Sequence, residues 1–213
     1  MPAKTKPAQP AAPITTTAND AHRHLLAGYS RKVEAARDEA KLEIKRMQQR
    51  LARLAEALDA AKDDKAVRAV LITGQPGIFT SGNDIEDFMQ RPPQGMDSPV
   101  FQFMLALLEC EKPVVAAVTG AAIGIGTTML LHCDLIYAGD NAAFSLPFVN
   151  LGLCPEAASS LLVPQMMGYH RAAEALLMGE PFMAEAALEV GLANRVVPPT
   201  EANAVAQAQA RKL

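Results

Sequence analysis

Three groupings of residues in this chain have types and spacings that could do chemistry. The first is a pair of glycine turns. Phe79-Thr80-Ser81-Gly82-Asn83-Asp84 follows a short apolar run ending in Gly74, and Gly120-Ala121-Ala122-Ile123-Gly124-Ile125-Gly126 follows a second apolar run. Glycine lets the main chain approach a ligand and frees N–H groups to point at it. An open α/β sheet binds its ligands at the carboxyl ends of strands, where both turns fall. A helix opening near Ile125 would add the positive end of its dipole. Ordinary strand-to-helix turns look the same, and the order G-x-x-x-G-x-G is neither a dinucleotide fingerprint nor a P-loop. The second grouping is Glu156 directly after Pro155. On spacing alone it reads as a carboxylate at a helix N-terminus. The third is Ser81, His132 and Asp134, the side-chain types of a hydrolytic triad. No G-x-S-x-G elbow accompanies them, and His132 and Asp134 sit at an apolar helix-to-strand junction. Asp84 reads as a turn or cap residue.

These residues need elements to position them. Val67–Gly74, Pro113–Val118, Asp134–Ala138 and Ala193–Val197 are short apolar runs that read as buried strands. Helical stretches are expected at about 99–109, 125–133, 156–167, 170–178 and 183–190, with another from 201. Strands alternating with helices imply an α/β fold whose strands are largely parallel. Residues 1–20, rich in Pro, Ala and Thr, are expected to be a disordered tail. Residues 21–63 form a helical segment, 64–199 the core, and 200–213 the start of a C-terminal helical region that stops abruptly. Ile44, Met47, Leu51, Leu54 and Leu58 recur at spacings of 3, 4, 3 and 4. An amphipathic helix packing on its own domain explains that stripe better than a coiled coil of this length.

Composition narrows the partners. Of 213 residues half are hydrophobic and a fifth charged, with net charge −3. A chain so balanced suits a soluble globular protein and argues against nucleic acid, whose phosphates call for clustered Lys and Arg. Cys110, Cys133 and Cys154 lack metal-ligand spacing and read as buried small hydrophobes in a reducing compartment. No apolar leader follows Met1, so a cytoplasmic location is expected. Pro113–Leu131 is long enough and uncharged enough to cross a membrane. Its glycines fit a strand, a turn and a buried helix better, and no membrane partner is expected.

Several ordered motifs between Val67 and Pro198 together resemble the enoyl-CoA hydratase/isomerase (crotonase) superfamily. Phe79 to Asp84 resembles the family's F-C-A-G-x-D. Ala117-Val118-Thr119-Gly120 through Gly126, then Cys133-Asp134 and Ala138, resembles A-V-x-G-x-A-x-G-G-G followed by C-D-x-x-x-A. Phe144, Pro147, Leu151-Gly152 and Pro155 match F-x-x-P-E-x-x-L-G-x-x-P, and Gly179 to Pro198 resembles the closing motif. The match begins near Leu54, and residues before about Ile44 have no counterpart in the pattern.

The resemblance implies a crotonase-like core of repeated β-β-α units, here with an atypical long N-terminal helix. It implies an acyl-CoA substrate, with coenzyme A arriving as part of that substrate, no other cofactor and no metal. The backbone N–H groups of Ser81 and Ile125 would form an oxyanion hole. Removing a proton beside a thioester carbonyl builds negative charge on its oxygen, and one preorganised donor can contribute about 3 kcal/mol there. Phe79, Gly82, Asn83, Asp84, Gly124, Thr128, Phe148 and Leu151 would line the substrate site. The family's hydratases carry two glutamates, at the positions held here by Thr128 and Phe148, so both are replaced. Glu156 instead stands where the Δ3,Δ2-enoyl-CoA isomerases place a single glutamate. Moving a double bond needs one base to take a proton from C2 and return it at C4. An apolar surround from Phe148, Leu151 and Met129 would raise that acid toward neutrality. The expected function is thus conversion of a 3-enoyl-CoA to the 2-trans isomer. A hydratase of the same family is the nearest alternative. A non-catalytic oligomeric scaffold is the alternative of another class. The family resemblance also implies a homo-oligomer, a trimer or dimer of trimers.

Overall fold

The computed structural model describes residues 50–75, 77–82 and 95–213. The proposed tail, Ile44 and Met47 of the apolar stripe, and Asn83 and Asp84 lie outside the described residues.

The first described element is helix α1 (50–63). Its inward face carries Leu51, Ala55 and Leu58, at spacings of four and three, and buries them in the main core. Leu54 stands off that face and is exposed, which departs from the apolar stripe expected for it. The chain then turns on Asp64, whose side chain accepts the Ala66 N–H at 2.8 Å while its carbonyl accepts the Val67 N–H at 3.1 Å. That turn consumes the start of the expected Val67–Gly74 run, so strand β1 is only Val70–Thr73.

Eight short strands among the described residues form two sheets. β1, β3 (Val114–Val118), β5 (Leu135–Gly139) and β8 (Arg195–Val197) lie side by side in that order, all parallel. The second sheet has the order β2 (Ile78–Thr80), β4 (Ala121–Ile123), β6 (Ala143–Ser145) and β7 (Phe182–Met183). It is parallel except for β6 against β7. Each early unit gives one strand to each sheet and then a helix. β1 and β2 lead to α2 (Pro99–Leu108), and β3 and β4 lead to α3 (Ile125–Thr128). β5 and β6 lead to α4 (Ser159–Met167) and α5 (Tyr169–Met178). This is the repeated β-β-α architecture. The first sheet is the one legible in the sequence. The second is built from strands of two or three residues, too short to show a period of two, and β2 and β4 overlap or lie within the segments that read as glycine turns.

β3 is central and fully buried, as a run of Val and Ala with no polar residue requires. Its side chains alternate: Val114, Ala116 and Val118 face the main core. Val115 and Ala117 face Tyr137 and Ala206 on the other side. Ala206 belongs to α7 (Pro199–Ala210), which covers that outer face through small residues; α6 (Ala184–Glu189) precedes it. A second cluster gathers Leu146, Phe148, Val163, Ala172 and Ala175 between β6, α4 and α5. The rings of Phe144 and Phe182, paired across β6 and β7, stack with centroids 5.6 Å apart.

Two expected helices change. The stretch read as 125–133 is α3 followed by a 3-10 turn at Met129–His132. The stretch read from residue 156 begins at Ser159. The Pro113–Leu131 run divides among β3, β4, α3 and the 3-10 turn, and among the described residues no helix is long and apolar enough to cross a membrane. Cys110 and Cys133 are partly buried, and burial, with the Asp134 charge adding to it, pushes the Cys133 thiol up to about 12. Cys154 is exposed rather than buried, because it lies in extended chain between the 3-10 turn Val149–Leu151 and α4.

Candidate active site

The two glycine turns meet, and glycine is what lets them. A Cβ built on Gly82 would stand 2.6 Å from the Ile123 carbonyl oxygen, and one on Gly126 would stand 2.3 Å from Cγ2 of Thr80. Neither approach is open to a larger residue without movement of its neighbour. Residues 80–82 are therefore clamped against residues 123–126 at two points, with Ser81 and Ile125 lying between the contacts. The parallel pairing of Thr80 with Ala122 carries this juxtaposition up from the second sheet.

Two amides in that clamp, those of Ser81 and Ile125, meet no acceptor among the described residues. Gly124 donates its N–H to the Ser145 carbonyl at 3.0 Å, and its own carbonyl accepts from Thr127 and Thr128. Ile125 is the first residue of α3, so its N–H has no intrahelical acceptor. Among the described residues neither the Ile125 N–H nor the Ser81 N–H meets an acceptor, while the Gly82 N–H is taken by the Thr80 hydroxyl at 3.2 Å. Ser81 is exposed, so its amide can be reached.

α3 also supplies the partner of the acid. Thr128, three residues on from Ile125 and fully buried, donates its hydroxyl to Oε1 of Glu156 at 3.2 Å. Thr127 points the other way, donating to the Ala122 carbonyl at 2.5 Å and accepting the Ser145 N–H at 3.2 Å, which pins α3 to β4 and β6. Glu156 is half-buried, and loss of hydration raises its pKa above the usual carboxylate value; the Thr128 hydroxyl pulls in the opposite direction, less strongly. A carboxyl so placed holds its proton to higher pH than a free one and can both take and return it.

Glu156 does not sit in a helix, so the helix-end reading is replaced. Ala157 and Ala158 both have positive φ, 52° and 55°, and α4 starts only after them. Two consecutive alanines in left-handed conformations each cost about 1–2 kcal/mol, since Cβ crowds the following carbonyl. The turn is held by its surroundings. The Glu156 carbonyl accepts the Ser159 N–H at 2.9 Å and also the Ser159 hydroxyl. The Ala157 carbonyl accepts Nε2–H of His132 at 2.9 Å. Persistent strain of this kind is found where the surroundings over-determine a functional conformation.

Other expected site residues lie differently. The Phe79 ring is buried in the main core. Phe148 packs in the second cluster, whereas Met129 belongs to the main core and Leu151 is 43% exposed. The triad is not assembled. Oδ2 of Asp134 accepts the Val114 N–H at 2.8 Å, and His132 is engaged with Ala157. Among the described residues no cluster of His, Cys, Asp and Glu could hold a metal ion. Sequence reasoning registered Thr128 as a substrate-lining position and a missing glutamate, and missed its hydroxyl as the carboxylate's partner. It also missed the Ala157-Ala158 turn, where Gly or Asn would have been the signal and Ala is none.

Known proteins resemble this chain over its described core. Human enoyl-CoA delta isomerase 2 is 36% identical over 149 residues, covering 67% of this chain and 38% of that protein. The 2,3-dehydroadipyl-CoA hydratase of Escherichia coli K12 is 32% identical over 149 residues, covering 70% of this chain and 58% of that protein. The chain thus spans less than two thirds of the length of these curated relatives. The solved structure of Pseudomonas aeruginosa OdaA is 53% identical and superposes with a TM-score of 0.75 over 78% of this chain and 67% of that one. The family model described as enoyl-CoA hydratase/isomerase matches residues 46–213, so this chain belongs to the enoyl-CoA hydratase/isomerase family.

Proposed function

We propose that this chain converts a 3-enoyl-CoA to the 2-trans-enoyl-CoA through a thioester enolate. Glu156 removes the proton from C2 and the Ser81 and Ile125 amides bind the enolate oxygen. The same carboxyl then returns the proton at C4, so one group closes the cycle and no water is added. Coenzyme A enters as part of the substrate, and no metal or redox group is called for by a proton transfer of this type.

The observation that carries the reading is the hydrogen bond from Thr128 to Glu156. It ties the acid to the helix whose first amide, at Ile125, is unspent, and Thr128 fills a position where a hydratase would carry its second glutamate. Water addition benefits from two groups, one activating water and one protonating carbon; bond migration needs one. Isomerase-named relatives such as the human protein support the same choice, and hydratase-named relatives show that family membership alone leaves it open.

The test is a paired assay of the full chain, 3-enoyl-CoA isomerisation beside 2-enoyl-CoA hydration, with Glu156→Gln as the variant. Isomerisation should exceed hydration and should fall by at least about 100-fold in the variant, as expected for loss of a general acid/base. Hydration exceeding isomerisation, or full isomerase activity in Glu156→Gln, would overturn the proposal. We also read the protein as a homo-oligomer, which light scattering on the full chain measures directly.

A further inference from the structure

We propose that His132 is a positioning residue for Glu156, holding the strained turn that aims the carboxylate. The inference rests on the reading of Glu156 as the acid/base and extends it to a side chain outside the reacting groups.

Three observations converge on it. Ile125, Thr128 and His132 follow one another at spacings of three and four along a single helical run, α3 and its 3-10 extension. Each meets a different part of the site. Ile125 presents its amide, Thr128 holds Oε1 of Glu156 at 3.2 Å, and His132 holds the carbonyl of the next residue, Ala157, at 2.9 Å. The acid is thereby tethered to one rigid element at its head and at its adjoining backbone. Next, the tethered carbonyl belongs to the first of two left-handed alanines. An alanine pair relaxes out of that region unless something outside it compensates. Last, His132, Ala157, Ile125 and Met129 line one small apolar cavity closed by Leu107 and Leu108 of α2. A carbonyl facing such a space has little water to bond with, so the imidazole N–H matters more there than it would on an open surface.

A carbonyl can only accept, so Nε2 carries the proton in this contact. The glutamine amide nitrogen reaches about as far from Cα as Nε2, whereas the asparagine amide falls short. Position, and not bulk or polarity, is then what the variants separate.

The experiment measures kcat and KM for 3-enoyl-CoA isomerisation by the full chain and by His132→Ala, His132→Gln and His132→Asn, with Glu156→Gln as control. A loosened acid lowers turnover more than binding, and misplacement by about 1 Å can cost about 100-fold. The expected result is a kcat lowered about 10- to 100-fold in His132→Ala with KM changed less than about twofold, and recovery to within about threefold of the parent in His132→Gln. A lowered melting temperature with unchanged kcat would mean a purely structural role and overturn the proposal. If His132→Ala does not fold, equal kcat for the Gln and Asn variants would overturn it as well. Full activity in Glu156→Gln defeats the reading of Glu156 itself, whatever His132 does. An inactive Glu156→Gln beside a fully active His132→Ala defeats the positioning role alone.

Discussion

Gly126→Ala is the sharpest test of whether the contact between the two turns is what forms the amide pair. The added Cβ would stand 2.3 Å from Cγ2 of Thr80 and 3.2 Å from the Thr80 carbonyl oxygen. A gap of 2.3 Å is well inside van der Waals contact, so the two segments must part by about 1 Å or more. Overpacking of this kind costs about 1–3 kcal/mol, and alanine returns about 1 kcal/mol of that through helix propensity. The net loss of about 0–2 kcal/mol lowers the melting temperature by at most about 8 °C in a folded region of this size. Activity should suffer more. Parting the segments moves the Ser81 amide away from Ile125, and a lost oxyanion donor costs about 3 kcal/mol, or about 100-fold in kcat. Between 10- and 100-fold is expected in the isomerase assay.

Thr80→Ser makes the prediction specific. It deletes Cγ2, the atom at 2.3 Å, and keeps the hydroxyl that accepts the Gly82 N–H. In Gly126→Ala/Thr80→Ser the nearest remaining atom is the carbonyl oxygen at 3.2 Å, which needs a shift of only a few tenths of an ångström. The double variant should therefore regain most of the lost activity and stability, with a favourable coupling of about 1–2 kcal/mol. Equal impairment of the double and single variants, or a Gly126→Ala protein as active as its parent, would refute the claim that this contact sets the amide pair.

Further outcomes follow from the same geometry. Because burial holds the Glu156 pKa above its ordinary 4.5, the folded state prefers the neutral acid, and the stability it contributes is full below 4.5 and lost as pH rises through the folded pKa. Glu156→Gln escapes that loss, so it should melt with the parent near pH 4 and above it near pH 8 by about the same protocol; a difference independent of pH counts against the burial argument. Thr128→Val removes the hydroxyl that lowers the Glu156 pKa, so the acid limb of the kcat profile should move to higher pH, and a move to lower pH would contradict the hydrogen bond. Leu58→Ala empties a buried site on α1 and should cost about 2–5 kcal/mol, read as a fall in melting temperature; no fall would place α1 outside the cooperative unit.

How far the sequence carried depended on what each signal measures. The first sheet was legible because β3 and β5 are apolar runs long enough to stand out, and their parallel pairing follows from the intervening helices. β2, β4 and β6 were not, since three residues cannot establish a period and their glycines mark turns more loudly than strands. The stripe on α1 predicted an inward Leu54, but the buried face runs through Leu51, Ala55 and Leu58 and leaves Leu54 exposed; a small Ala carries no apolar signal strong enough to shift the stripe.

At the site, the family motifs indicated which residues to examine, and the physical account of them came from contacts that no motif encodes. The resemblance implied Phe148, Leu151 and Met129 as an apolar surround for Glu156; Phe148 is buried in the second cluster, Met129 in the main core, and Leu151 is 43% exposed. A single helical run supplies residue 128 to the carboxylate and residue 132 to the backbone beside it, and carries the proposed oxyanion amide at residue 125. A base held at one point by a flexible side chain would sample many orientations and lose most of the rate that alignment supplies. Held at two points on an element that also carries one of the proposed oxyanion amides, the carboxylate would keep a fixed distance to the developing charge. The strained alanines are then the cost of bringing the carboxylate back over that element, and they are where a relaxed variant of this chain would first lose turnover.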